Sequence, residues 1–159
     1  MKDPGSAYDV PVLGKDPQPA RMKEYVERFS YGNQDVSGGV DRFWLGSSLR
    51  LSPDEQASFL RRLEAGELPV SARSLGIVKD IMGQPWAEGV AYRGKTGSCS
   101  NTDAAPDHGW WVGAVESGGH RHVFAGLILG KGASGLVARP LVEQALVELG
   151  VLPAKPQAP

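Results

Sequence analysis

Apolar residues recur at three- and four-residue spacing in the first half of the chain and alternate with polar ones in the second, the period changing near Pro85. Met22, Tyr25, Val26 and Phe29 follow the i, i+3, i+4, i+7 spacing of one helical face, which with Pro19 in the first turn predicts a helix over about 19–29. Residues 30–51 hold four glycines, the pair Phe43-Trp44 and few helical signals, and are expected to form a long structured loop. Ser52-Pro53-Asp54-Glu55 is a capping box with proline at the first helical position; Phe59, Leu60 and Leu63 give the buried stripe and Gly66 the stop. Ser71 caps a third helix, in which Leu75, Val78 and Met82 share a face and Gly83 is the stop. Extended runs follow over 88–97, 109–116 and 122–129, the last two joined by Ser117-Gly118-Gly119-His120, whose glycines accept a tight hairpin. A last helix is expected over 136–149, with apolar residues at Leu141, Val142, Ala145, Leu146 and Leu149, Pro140 near its first turn and Gly150 as its stop.

Helices first, then a meander, then a helix predict an α+β fold whose last helix covers one face of a three-stranded antiparallel sheet. Three strands are few for this many helices, and the unpaired edge implies strands outside this sequence or supplied by another chain. The expected organisation is an irregular segment over 1–18, the main body over 19–152 and a disordered tail over 153–159. At 159 residues the chain has the size of one domain.

Composition narrows the partners. With 17 Lys and Arg against 18 Asp and Glu and no long block of either sign, there is no electrostatic footprint for nucleic acid or anionic lipid, which points to a small substrate. No apolar run reaches the roughly 18 residues of a membrane span, and the polar start, Met1 to Ser6, has no apolar core of a secretory signal. The one cysteine, Cys99, has no second cysteine for a disulfide or a thiolate metal site, and neither a metal nor a cofactor is expected.

The chemistry concentrates on Lys95-Thr96-Gly97 at the end of an extended run: the ammonium and hydroxyl suit a substrate carboxylate, while strand-edge N–H and C=O groups pair with its amide. The tripeptide alone is also ordinary turn composition. Around it stand Tyr31-Gly32-Asn33, Ser37-Gly38-Gly39-Val40-Asp41, Phe43-Trp44-Leu45, Leu49-Arg50-Leu51-Ser52-Pro53 and Gly109-Trp110-Trp111-Val112-Gly113. In that order and approximate spacing, from about Met22 to Leu152, the chain resembles the last three-fifths of the catalytic domain of class D (oxacillinase-type) serine β-lactamases and their penicillin-binding, transpeptidase-like relatives.

The resemblance implies a serine acyl-enzyme in which the Ser of a Ser-x-x-Lys motif attacks the β-lactam carbonyl, with that Lys, carbamylated, as base. Lys2, Lys15, Lys23, Lys79, Lys95, Lys131 and Lys155 all lack a Ser three positions before them, so no catalytic nucleophile or base is found here. Tyr8-Asp9-Val10 stands where the family has Ser-x-Val, and a phenol does not replace that short hydroxyl. By the same resemblance Lys95 and Thr96 bind the substrate carboxylate and carbonyl, and Ser98 opens the edge that gives an oxyanion-hole N–H. The resemblance also implies that Arg139 holds the carboxylate in a bidentate pair. Trp44 would steady the carbamylated lysine, and Tyr31 and Asn33 border the site. Plainer roles stand beside these: Trp44 plugging its loop, Arg139 solvated at a helix start, Tyr31-Gly32-Asn33 a turn, Trp110-Trp111 sheet core. Leu45-Gly46-Ser47 departs from the family's Leu-Glu-Gly. His120 and His122 are expected in solvent at the hairpin, His108 in an interstrand loop and Cys99 as a small packed residue.

Two functions follow. One is a penicillin-binding or β-lactam hydrolase-like protein in an incomplete form, inactive alone, that recognises a β-lactam or peptidoglycan-like small molecule. The other is a non-catalytic interaction module that binds a complementing chain at its open sheet edge. The resemblance implies a periplasmic or other extracytoplasmic place; a chain complete as given, without a signal peptide, would be cytoplasmic.

Overall fold

The computed structural model describes residues 19–39, 41–99 and 107–154, and the chain divides into two compact units, Met1–Arg50 and Leu51–Pro159. Expectations for residues 1–18, including Tyr8, and for the end of the tail lie outside the described residues.

In the first unit, α1 (Pro19–Arg28) forms where the apolar spacing predicts it, and Met22, Tyr25, Val26 and Phe29 are its less exposed face. The loop that follows is held by side chains. Asn33 spans it, its Nδ2 donating to the Ser48 carbonyl at 2.9 Å and its Oδ1 accepting from the Arg50 N–H at 2.9 Å. Ser48 Oγ donates to the Asp35 carbonyl and accepts from the Gly38 N–H, both at 2.9 Å. A loop with little apolar content is thereby ordered by polar groups that satisfy its backbone.

The second unit opens with α2 (Pro53–Ala65), whose capping box is complete: Ser52 Oγ accepts from the Glu55 N–H and the Glu55 carboxylate accepts from the Ser52 N–H. Gly66, in the left-handed region at φ 75°, ends it. Next, α3 (Ala72–Ile81) is capped by Ser71 as expected, but Gly83 does not stop it. Met82 closes the helix in an ordinary right-handed conformation, and its carbonyl accepts from the Gly94 N–H at 2.8 Å, which draws Gly83 into a strand.

Among the described residues the sheet therefore has four strands rather than three, in the order β1 (Gly83–Gln84), β2 (Ala91–Cys99), β3 (His108–Ser117) and β4 (His120–Leu129), all antiparallel. A two-residue strand is too short to leave a periodic signal. β2 begins later than expected because the Val90 N–H turns back to the Ala87 carbonyl and Gly89 takes a positive φ. His108 is not in a loop but opens β3, opposite Cys99 and Leu129. The hairpin between Ser117 and His120 turns on Gly118 and Gly119 alone, at φ 57° and 78°. His120 and His122 are exposed beside it.

Finally, α4 (Gly135–Glu148) starts one residue early, with Ser134 as N-cap. Its inward line is Gly135, Ala138, Val142 and Leu146, so the expected apolar positions divide: Leu141 and Leu149 face outward. Pro140 stands at the sixth helical residue, and the backbone bond it cannot donate would have reached the carbonyl of Leu136, itself an exposed residue. The core lies between α4 and one sheet face: Tyr92, Trp111, Val115 and Phe124 from the strands, Ala138 and Leu146 from the helix, and Leu152 beyond it. Pro153, at the start of the expected tail, accepts a 2.9 Å hydrogen bond from Trp86 Nε1. Against the opposite face α2 meets β3 and β4.

Candidate active site on the open edge of the Lys-Thr-Gly strand

β2 pairs with β3 along its whole length but with β1 only at Tyr92 and Arg93. The Gly94 N–H points toward the β1 side, since it reaches the Met82 carbonyl, and alternation along an antiparallel strand sends the N–H and C=O of Thr96 and Ser98 the same way. Beyond Gln84 no described strand meets them, so the backbone N–H and C=O groups of Thr96 and Ser98 have no ladder partner on that side among the described residues. Two of the residues singled out from the sequence, Thr96 and Ser98, thus share one edge, with Lys95 and Gly97 between and before them.

Side chains complete that edge. Lys95 is exposed, its Nζ 2.8 Å from the Thr96 carbonyl and 3.5 Å from Thr96 Oγ1, which keeps the ammonium beside the open ladder. Ser98 Oγ accepts at 2.8 Å from the N–H of Gly135, one of the donors that a helix start leaves unpaired. Gly135 packs so close to Thr96 and to the Gly97 backbone that a Cβ added there would stand 2.6 Å from Thr96 Cβ. The helix start is thereby seated directly on the Lys-Thr-Gly strand.

One turn further along α4, Arg139 is a third exposed. Its Nε donates to Glu143 Oε1 at 2.8 Å, and its guanidinium carbon lies 4.7 Å from the centroid of the Trp111 ring. Trp111 is the cross-strand partner of Thr96, and its indole reaches over Gly94, where any added Cβ would collide with the ring. Arg139 is thus carried toward the strand that holds Lys95 and Thr96. Beneath it, Trp111 Nε1 donates to Tyr92 Oη at 2.7 Å, and Tyr92 Oη donates to Glu143 Oε1 at 3.2 Å. Burial pushes the Tyr92 phenol far above its ordinary pKa, so the phenol stays a donor.

Sequence reasoning placed Trp111 in the sheet core and missed Tyr92 and Glu143. Two signals were available: Tyr92 shares the even-numbered face of β2 with Thr96, and Glu143 stands four residues after Arg139 on a helix. Of the residues expected to support the site, Asn33 is committed to bridging its own loop. Tyr31 is half-buried, and burial pushes its phenol pKa up. Trp44 is half exposed and packs edge-on against Phe43 at 4.8 Å, so it plugs its loop only in part. These three belong to the first unit. Two surface hollows, of about 410 and 360 Å³, lie along residues 89–91 with 116–119 and beside β1; neither includes Lys95, Thr96 or Arg139. Among the described residues no helix is long and apolar enough to cross a membrane.

The penicillin binding protein transpeptidase domain matches residues 12–147. The chain is 39% identical over 120 residues to β-lactamase OXA-19 of Pseudomonas aeruginosa, covering 73% of this chain and 45% of that protein. It is 42% identical over 149 residues to β-lactamase OXA-9 of Klebsiella pneumoniae, covering 83% and 53%. A class D β-lactamase structure from Bacillus subtilis superposes with a TM-score of 0.72 at 38% identity, over 82% of this chain and 53% of that one. The chain spans about half the length of these relatives.

Proposed function

From a chain that belongs to the penicillin-binding protein transpeptidase family, with class D β-lactamases among its relatives, we propose the substrate-recognition part of β-lactam or peptidoglycan-like chemistry. The observation that carries this reading is the open edge of β2, which holds the Thr96 and Ser98 backbone groups and where the Lys95 ammonium lies against the Thr96 carbonyl. An amide laid along that edge gains ladder hydrogen bonds, and a carboxylate next to it meets Lys95, Thr96 and the outer guanidinium nitrogens of Arg139. The Ser98 N–H is oriented to hold a developing oxyanion. With no Ser-x-x-Lys among these 159 residues, the chain itself has no acyl acceptor of the family's kind. Such substrates lie outside the cytoplasmic membrane, and that is where we place its action.

The test is titration of the chain with benzylpenicillin, followed by NMR, together with nitrocefin turnover. Binding that Lys95→Ala weakens about tenfold, without nitrocefin turnover, is the expected result. Turnover that survives Lys95→Ala would overturn it.

A second reading is favoured by the other side of the sheet, where all ten residues of β4 have an outer edge that no described strand pairs with. A complementing chain that carries Ser-x-x-Lys and adds a strand there would complete the acyl-enzyme machinery. Mixing this chain with the N-terminal half of a class D relative should then restore nitrocefin hydrolysis, and a charged or proline substitution at Ala125 in mid-β4 should abolish it.

A further inference from the structure

We infer that Glu143, together with Tyr92 and Trp111, is a positioning device that fixes the Arg139 guanidinium with its outer fork free for the substrate carboxylate. The inference rests on the reading of Arg139 given above and names what orients it.

Arg139 is held on two sides. Both its hydrogen bond and its ion pair to Glu143 run through Nε at 2.8 Å, and the indole of Trp111 lies against the guanidinium face. Nη1 and Nη2 have no hydrogen-bonded protein partner among the described residues, and these are the two nitrogens a bidentate carboxylate needs. A free arginine on a helix surface would spread over many rotamers; here the choice is made before the ligand arrives, which removes an ordering cost from binding.

The holder is itself fixed. Glu143 is buried, and Oε1 takes the Tyr92 hydroxyl as well as Arg139. Tyr92 is buried too, and its oxygen accepts the Trp111 indole N–H, so the phenolic proton has one direction left, toward Glu143. The chain of bonds returns to its start, because the same Trp111 is the platform under Arg139 and the cross-strand partner of Thr96. Indole, phenol, carboxylate and guanidinium form a loop that ties the anion-binding fork to the register of the Lys-Thr-Gly strand. A carboxylate kept only to stabilise the helix would not need a buried phenol.

The experiment compares benzylpenicillin with its methyl ester on the full chain, by NMR titration, while the Arg139 Nε–Hε resonance is followed directly. Glu143→Gln keeps shape and removes the charge; it should weaken penicillin binding about tenfold and leave ester binding unchanged. It should also release Arg139 Hε to fast solvent exchange. Tyr92→Phe should act in the same direction by about threefold. Arg139→Ala should match the loss in Glu143→Gln, and the double variant should lose no more than the larger single loss. Equal penicillin binding by wild type and Glu143→Gln, with Arg139→Ala impaired, overturns the positioning role and leaves the reading of Arg139 standing. No effect of Arg139→Ala, or no binding by the wild-type chain, overturns both.

Discussion

The two faces of the sheet each bury a carboxylate, and they treat it differently. On the α2 face Glu64 is enclosed by cations: Lys79 Nζ at 3.4 Å and Arg93 Nη1 at 3.6 Å from Oε2, with Lys79 and Arg121 also donating to its main-chain carbonyl. On the α4 face Glu143 pairs with a cation, Arg139, and with a neutral phenol, Tyr92. The Glu64 cluster joins α2, α3, β2 and β4, and its charges are directed at one another, with Arg121 also paired to Glu116. Arg139 reaches Glu143 through Nε, and its outer nitrogens have no hydrogen-bonded protein partner among the described residues. A buried charge surrounded by partners is a structural joint; one that meets its partner only part way leaves that partner able to bind something else.

The largest effect should come from the residue on which the α4 face depends. Trp111→Ala removes a 1% exposed indole, the donor to Tyr92 and the platform of Arg139, and should cost about 3–5 kcal/mol by urea denaturation. Next is Glu64→Gln. Among the described residues Arg93 Nη1 is buried without a hydrogen bond and meets only the Glu64 charge, so removing that charge leaves it uncompensated at about 2 kcal/mol. Glu143→Gln should cost less than Glu64→Gln in stability and more in ligand binding. The reverse order on either axis would break the distinction between a joint and a positioning device.

How much of this was legible in the sequence depends on whether a feature is local. The capping box at Ser52 and Glu55, the stop at Gly66 and the glycine hairpin at 118–119 rest on neighbours in the chain, and each formed as expected. What escaped depends on contacts between distant residues. The strand at Gly83–Gln84 exists because Met82 meets Gly94, and the inward side of α4 was set by where its glycine and alanine could approach the sheet. The site divides in the same way. Lys95, Thr96 and Ser98 share an edge by simple alternation, but the link from Tyr92 to Glu143 spans 51 residues and no spacing rule reports it.

Tyr92 gives a smaller test, with a pH signature. Tyr92→Phe leaves Glu143 with one donor fewer and should cost about 1 kcal/mol at neutral pH. Burial raises the folded phenol above its ordinary value of 10.0, so the unfolded chain releases the proton first. The stability tied to the protonated phenol is therefore complete below pH 10.0 and is lost as pH rises toward the folded value. Wild type should lose stability above that point more steeply than Tyr92→Phe, measured as the urea midpoint against pH. Parallel curves would place Tyr92 in a wetter setting than Glu143 requires.

The smallest effect belongs to Glu55, at the opposite end of α2 from Glu64, and it serves as the exposed control for both faces. Its carboxyl lies below its ordinary value of 4.5, first through the Ser52 backbone N–H and then through the Ser52 hydroxyl. The sign is opposite to that of Tyr92: the contribution is present above pH 4.5 and is lost as pH falls through the folded value. Glu55→Gln should therefore flatten part of the acid limb of the stability curve and leave the alkaline limb, penicillin binding and the Arg139 Nε–Hε signal as in wild type. Being fully exposed, Glu55 owes its effect to local hydrogen bonds at a helix start rather than to burial. If Glu55→Gln perturbed Arg139 as Glu143→Gln does, the response would reflect general loosening of the unit, and the contrast between the two buried carboxylates would lose its meaning.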